Sequence, residues 1–294
     1  MAEQIAPGVL VVPHRVANGK NGAVWGARRA LAVDCGTDPA EGQAVLGALA
    51  AAGRRPDWLV YTHSHEDHAG GSGPFRAAGV TAVAQAAAPE GLRRLVARRA
   101  ARDGTAPAVA AAGVQWPEVL FEGELRLDLG GRTARLLPAP GHSPDSACVF
   151  LEPEGILFAG DTAVTGIPPA FGSGDGRLLA ATLRRLTALE AAVLVPGHGP
   201  LLTGAAAVRE WLTWLAGYLD ALGAAALAAA AALPPGVRRA AGSRPPEALV
   251  ADVLAAAPAG RLVGDRLPLA PAELQRRHRD NALRAAVEAL AALP

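Results

Sequence analysis

A chain of 294 residues that is 51% hydrophobic and 19% charged can bury a sizeable core, as one large domain or two modest ones. Its formal charge of +1 excludes a general electrostatic attraction to nucleic acid, membrane surfaces or acidic polymers. Aromatics are only 4% and alanine is abundant, a composition that suits a GC-rich bacterial genome.

The opening stretch, MAEQIAPGVLVVPHRVANG, has no cationic leader and no apolar run of signal-peptide length. The longest apolar tract, residues 221–233, is alanine-dominated, interrupted by Gly223, and too short and weakly apolar to span a bilayer. Cys35 and Cys148 lie in strand-like segments, and a cytosolic chain with two thiols needs no disulfide. The expectation is a cytoplasmic protein.

Residues 9–12, 30–33 and 58–62 read as buried strands stopped by polar, Gly or Pro residues. Residues 39–53 read as a helix between the last two, 81–84 as a further strand, and 91–102 as a basic helix. From residue 118 the pattern is strand-dense: 119–121, 125–129, 133–137, 147–151 and 156–159, with hairpin signals at Gly130-Gly131 and residues 153–155. A helix over 177–189, a strand over 192–195 and a helix over 208–222 follow, the last placing Trp211, Trp214, Leu215, Tyr218 and Leu222 on one side. The expected architecture is a sheet core covered by helices, with residues 1–220 as the catalytic unit. Residues 221–294 form a helical C-terminal extension that caps the pocket or makes a dimer face, with a Pro/Gly/Arg-rich connection over 233–246.

The chemistry concentrates in the histidines. Of seven in the chain, three fall in the run Thr62-His63-Ser64-His65-Glu66-Asp67-His68-Ala69-Gly70-Gly71, directly after a buried strand. In extended backbone, residues two apart point the same way, so His63 and His65 can meet one cation; after the turn, Asp67 and His68 can face a second. Imidazole and carboxylate are ligands that zinc prefers, and no cysteine competes. Gly70-Gly71 allows a tight turn. His142 (Pro-Gly-His-Ser-Pro), Asp161 (Ala-Gly-Asp-Thr) and His198 (Pro-Gly-His-Gly-Pro) each sit in a glycine-containing turn at a strand end. His14 and His278 are set aside, His278 as an exposed helix residue.

With these residues in view, the sequence resembles the metallo-β-lactamase superfamily, whose HxHxDH signature is followed by separate His, Asp and His motifs. The resemblance covers roughly residues 5–215. It implies a mixed α/β (α+β) fold, a four-layer αββα sandwich with metals at one edge, between the sheets. It also implies His63, His65 and His142 on a first metal, Asp67, His68 and His198 on a second, and Asp161 as a bridge between them. Asp34, in Val-Asp-Cys-Gly, matches an early aspartate that orients the histidine loop. Two Zn2+ ions are expected, with iron or manganese possible in either site. Such ions share a bound water and lower its pKa, leaving Asp67 to hold the water and shuttle its proton.

A bridging Asp161 favours the branches resembling hydroxyacylglutathione hydrolases, lactonases and esterases over true zinc β-lactamases. The expected reaction is hydrolysis of a small ester, lactone or thioester. Val164 stands where quorum-quenching lactonases typically carry tyrosine, and Ser64 where hydroxyacylglutathione hydrolases show a further histidine. The Pro/Gly-rich stretch after Asp161, with Ile167, Pro168 and Phe171, is the candidate substrate wall. Arg93, Arg94, Arg98, Arg99 and Arg102 form a basic helix face, read as solvated, which leaves nucleic acid an unlikely partner and phosphodiester or RNA cleavage a secondary reading. β-Lactamase-like amide hydrolysis and an iron-dependent persulfide dioxygenase also stay open, and a homodimer is possible.

Overall fold

A computed structural model describes residues 2–241, 244–263, 266–267 and 269–293. Its first half builds a seven-stranded sheet in sequence order: β1 (Glu3–Ala6), β2 (Val9–His14), β3 (Gly19–Trp25), β4 (Ala30–Val33), β5 (Trp58–Val60), β6 (Thr81–Gln85) and β7 (Val119–Phe121). The first four strands run antiparallel, whereas β4 to β7 are parallel. Parallel neighbours need crossovers, and these are α1 (Pro39–Ala51), α2 (Glu66–Ala69), α3 (Gly73–Ala77), α4 (Ala88–Asp103) and α5 (Pro107–Ala112). Asp38 starts α1 by accepting the Ala40 and Glu41 N–H groups, satisfying donors that a helix start otherwise leaves free.

The second half forms a six-stranded sheet from β8 (Leu125–Asp128), β9 (Thr133–Pro138), β10 (Ala147–Glu152), β11 (Ile156–Gly160), β12 (Val193–Pro196) and β13 (Leu202–Thr203). Only β11 and β12 pair in parallel, joined by α6 (Gly176–Thr187). The chain ends in α7 (Ala205–Ala232), α8 (Pro235–Ala241), α9 (Glu247–Ala256), α10 (Ala259–Val263) and α11 (Pro271–Ala292).

Period-two alternation along the strands assembles the four layers. In β10, Val149 and Leu151 point between the sheets with Val11, Val33 and Val60, while Cys148 and Phe150 point outward under the C-terminal helices. In β6, Val83 faces inward, and Ala82 and Ala84 face the α1–α4 layer with Leu49, Phe75, Leu92 and Leu95. The result is a sheet core covered by helices, as the strand-and-helix pattern suggested, in the four-layer αββα form that the family resemblance implied.

Several elements differ from the sequence reading. The segment 19–25 looks unlike a strand because Gly19, Lys20, Asn21 and Gly22 have poor β-propensity, yet it is β3. Its glycines admit neighbours: a Cβ on Gly22 would strike the Phe158 ring, and one on Gly19 would strike the His14 ring. The helix expected over 208–222 and the apolar tract 221–233 are one continuous helix, α7. Among the described residues α7 is the one helix long and apolar enough to cross a membrane, but its buried face, from Val208 to Ala230, packs into the core with α6, α9 and α11. The expected connection over 233–246 contains α8, with residues 242–243 outside the described ones.

Candidate metal centre

The site assembles where strands of both sheets end. Asp34 follows β4, and the histidine loop follows its neighbour β5, to which β4 pairs through Val33 and Val60. Asp161 follows β11 and His198 follows β12, adjacent parallel strands paired through Gly160 and Pro196. His142 lies in the turn between β9 and β10. The two sheets are stitched together here, with Ala147 N donating to Thr62 O (2.7 Å) and Lys20 N to Gly197 O (3.0 Å).

Two groups of candidate ligand atoms result, each with its atoms within 4.8 Å of one another: His63, His65, His142 and Asp161, and Asp67, His68 and His198. Asp161 lies between them. Its Oδ1 is 3.4 Å from His68 Nε2 and 3.3 Å from His198 Nε2. Its Oδ2 is 3.5 Å from His142 Nε2 and 4.0 Å from His63 Nε2. Asp67 Oδ2 is 3.2 Å from His198 Nε2.

The imidazoles are oriented from behind. Asp34 Oδ2 lies 2.8 Å from His68 Nδ1, while the same carboxylate accepts from Thr62 N and Thr62 Oγ1, each at 2.7 Å. Carbonyl oxygens accept from His142 Nδ1 (Ala170, 2.7 Å) and His198 Nδ1 (Val16, 3.1 Å). Because these partners can only accept, Nδ1 carries a proton in each ring and Nε2 is the atom turned to the centre, the orientation a metal ligand requires. His65 is held by Ser173 Oγ at 2.8 Å from its Nε2, with its Nδ1 2.9 Å from His142 Nε2.

The donor set fits a cation. His63 Nε2, His68 Nε2 and Asp161 Oδ1 are buried with no hydrogen-bond partner among the described residues. Each would cost about 1–3 kcal/mol if left so. Burial disfavours charge on His68, yet the Asp161 and Asp34 carboxylates outweigh it and raise its pKa well above the usual histidine value. Burial likewise opposes charge on His198, but Asp161 and Asp67 lift its pKa to about 9. Asp161 is driven the other way: burial alone would raise its pKa, and His68 and His142 hold it far below the usual carboxylate range. On the opposite side, burial and then the charge of His142 push His65 down to about 4. The carboxylates therefore draw protons onto the atoms a divalent cation would take, so cation and protons compete.

The glycine pair after the loop has a different reason from the expected turn. Gly70 has an ordinary φ of −70°. A Cβ there would strike Arg99 and the Thr37 and Glu66 carbonyls, and one on Gly71 would strike the Cys35 carbonyl. Close packing, not backbone freedom, selects glycine.

Three readings of the sequence need correction. His278 is fully buried: its Nε2 donates to Ala257 O (2.7 Å), and Tyr218 Oη lies 2.9 Å from its Nδ1. It is a core fastening of α11. Arg99 is not solvated, because its side chain spans Glu66 (2.6 Å), Gly70 O and Thr37 O beneath the histidine loop. Phe171 is 1% exposed and packs in the core under α6, so it supports the loop after Asp161 from below. Pro168 is buried and Ile167 half-buried in the same loop. That loop is instead tied to the C-terminal helix: Asn281 Nδ2 donates to Pro169 O (2.8 Å), Arg284 reaches Gly174 O, and Glu288 accepts from Gly176 N (3.0 Å).

Residues that the sequence reading passed over also serve the site. Asp145 accepts from Ser64 N and from Ser143 Oγ, each at 2.8 Å, bracing the histidine loop against the His142 turn. His14, set aside in the sequence, is buried 5.7 Å from the His68 ring and 5.6 Å from the His198 ring, with both nitrogens unpartnered among the described residues. Burial and then the neighbouring His68 push its pKa down to about 4, so it stays neutral. The one sequence signal for His14 was its place at the end of an apolar strand.

Seven histidine and aspartate side chains at the strand ends of a two-sheet sandwich define a metal-binding protein of the αββα class. The profile of the Metallo-beta-lactamase superfamily matches residues 21–198, and the chain belongs to that superfamily. It is 35% identical over 164 residues to a hydroxyacylglutathione hydrolase of Anaeromyxobacter dehalogenans, covering 55% of each chain. An acyl-coenzyme A thioesterase of Gallus gallus is 30% identical over 167 residues, 51% of this chain and 60% of that one. The chain thus spans about half the length of the curated relatives it matches. In structure it resembles a metallo-beta-lactamase family protein from Thermus thermophilus (TM-score 0.66, 22% identity, 98% of this chain and 95% of that one), a likeness of fold.

Proposed function

We propose that this protein is a metallo-hydrolase that holds two zinc ions and cleaves a small thioester or ester. One observation carries the reading: Asp161 divides its two oxygens between the two clusters, as a carboxylate shared by two cations would. The relatives bearing the names hydroxyacylglutathione hydrolase and acyl-coenzyme A thioesterase support thioesters in particular. His63, His65 and His142 would hold one ion, Asp67, His68 and His198 the other, with Asp161 common to both. When bound, the ions would make water acidic enough to attack at neutral pH and polarise the acyl oxygen.

The side chains supply the rest. In hydrolysis the water oxygen bonds to the acyl carbon, the carbon–sulfur or carbon–oxygen bond breaks, and the leaving group departs with a proton. Burial works against charge on Asp67, but His198 and His68 keep its pKa below the ordinary carboxylate range, so it is an ionised acceptor. From its place beside His198 it can hold the attacking water and relay its proton towards the leaving group. Asp34 keeps the His68 ring aligned through this exchange, and Ser173 does the same for His65. The free thiols Cys35 and Cys148 suit a reducing, cytoplasmic setting.

The test is a metal count on the purified protein followed by a panel of thioesters, aryl esters, lactones, β-lactams and phosphodiesters. The expected result is two metals per chain and thioester or ester cleavage abolished by chelation and restored by zinc. Best turnover on a bis-aryl phosphodiester, or one iron per chain with oxygen uptake on a persulfide, would overturn it.

A further inference from the structure

The five arginines of α4 are not one face. Arg99 and Arg102 turn to Glu66 (2.6 and 2.8 Å) and are consumed in holding the histidine loop. Arg93, Arg94 and Arg98 instead line a cleft of about 310 Å³ whose wall includes His65, Ser64 and Ser173. The cleft therefore opens onto the metal centre, sharing with it His65 and the serine that holds His65.

Charge in this cleft is unbalanced. Arg93 and Arg94 share a single exposed carboxylate, Glu90, at 3.2 and 3.4 Å. Arg98 forms no ion pair among the described residues. The other carboxylate, Asp145, is 3% exposed, and its oxygens accept from Ser64 N and Ser143 Oγ. The first turn of α4 also borders the cleft and has no side-chain cap, which adds positive potential at the same place. Gly91 lets that turn lie against the histidine loop, since a Cβ would strike Ser64 Oγ.

We propose that this cleft seats an oxyanion of the substrate's thiol carrier, a phosphate or a carboxylate, with Arg93, Arg94 and Arg98 as its charge partners. The proposal rests on the thioester reading above and narrows it to substrates whose leaving thiol bears acid groups. Guanidinium matches both oxyanions through paired N–H donors. The two carrier chemistries that meet this description are a phosphate-bearing thiol of the coenzyme A kind and a carboxylate-bearing thiol of the glutathione kind.

The experiment compares one acyl group on three carriers: coenzyme A, glutathione and uncharged N-acetylcysteamine. The measured quantity is the preference, kcat/KM on each charged carrier divided by kcat/KM on the neutral one. In the Arg93→Ala/Arg94→Ala/Arg98→Ala protein the preference should fall at least roughly tenfold for one charged carrier, through KM. Which carrier responds tells phosphate from carboxylate. Replacing all three by lysine, which keeps the charge but not the paired donors, should restore only part of the preference. Raising salt from about 0.05 to about 0.5 M should erode it in the unaltered protein. A preference that survives the triple alanine change for both carriers overturns the proposal.

Calorimetric binding of S-methyl coenzyme A and S-methylglutathione gives a readout that needs no turnover. If the unaltered protein cleaves no thioester yet binds one probe, and the triple alanine change weakens that binding at least roughly tenfold, the cleft stands and the thioester reading falls. If neither charged probe binds more tightly than S-methyl-N-acetylcysteamine, the cleft proposal falls by itself.

Discussion

The two halves of the sandwich supply the metal centre in opposite ways. The N-terminal half contributes His63, His65, Asp67 and His68 from one loop after β5, braced by Asp34, Asp145 and Arg99. The C-terminal half contributes His142, Asp161 and His198 one at a time, from three turns that meet only because β9 to β12 are neighbours in one sheet. A loop of closely spaced ligands depends on its local braces, whereas scattered ligands depend on the register of the whole sheet. Damage to the first half should be graded, and damage to the central ligand of the second should be shared by both clusters.

Asp161→Asn is the severest test of that contrast. It should lower metal content in both clusters and cut turnover by more than about a hundredfold. His65→Ala should empty only its own cluster, so metal analysis of the two variants side by side reads the difference directly. Retention of two metals by Asp161→Asn would end the bridging interpretation.

Asp34→Asn comes next. It keeps the shape but replaces the carboxylate that fixes His68, and a loss of about ten- to a hundredfold in metal affinity or activity is expected. Full affinity in this variant would show that the backbone alone orients His68.

Metal loading should also depend on pH in a stated direction. His68 and His198 are held above their ordinary pKa, His198 at about 9, so the metal-free site is protonated at neutral pH. Binding must expel those protons, and affinity should rise by about tenfold per pH unit for each proton expelled as pH approaches 9. Calorimetry in buffers of different ionisation enthalpy counts the protons; none released would contradict the assignment.

Smaller effects should follow from the supports. Arg99→Ala removes the brace under the histidine loop, and with Glu66 still paired to Arg102 the cost should be about 1–3 kcal/mol in denaturant unfolding. Asn281→Ala frees the Pro169 carbonyl and the Tyr218 hydroxyl at the back of the loop after Asp161, about 1–2 kcal/mol. If Asn281→Ala harmed turnover more than Asp34→Asn, the C-terminal helix would rank as a closer partner of the site than the histidine loop's own braces.

The site was legible where its signal is chemical. Three histidines and an aspartate after a buried strand, and three glycine-flanked ligands at later strand ends, are residue types with few other reasons to stand together. The buried strands were legible for a similar reason, as short apolar runs closed by polar, Gly or Pro residues; which side chains face between the sheets was not, because both faces of these strands are apolar. What escaped was conformational or long-range. β3 hides behind glycines whose purpose is to admit His14 and Phe158, and α8 lies in a stretch that looks like a linker. His278 looks like any charged-face helix residue until Tyr218 and the Ala257 carbonyl close over it.

The arginines of α4 mark the boundary most sharply. Spacing alone places all five on a helix and leaves them equivalent, because helical periodicity carries no information about which neighbour a side chain will meet. Packing against the histidine loop then separates Arg99 and Arg102, neutralised by Glu66, from Arg93, Arg94 and Arg98, which face the cleft. From its own residues the chain determined the fold class and the identity of seven candidate ligands, since hydrophobic period and metal-donor chemistry are local properties. Tertiary structure decided how Asp161 divides its oxygens, which imidazole nitrogens turn inward and where positive charge stays unpaired, since each depends on atoms brought together from distant strands.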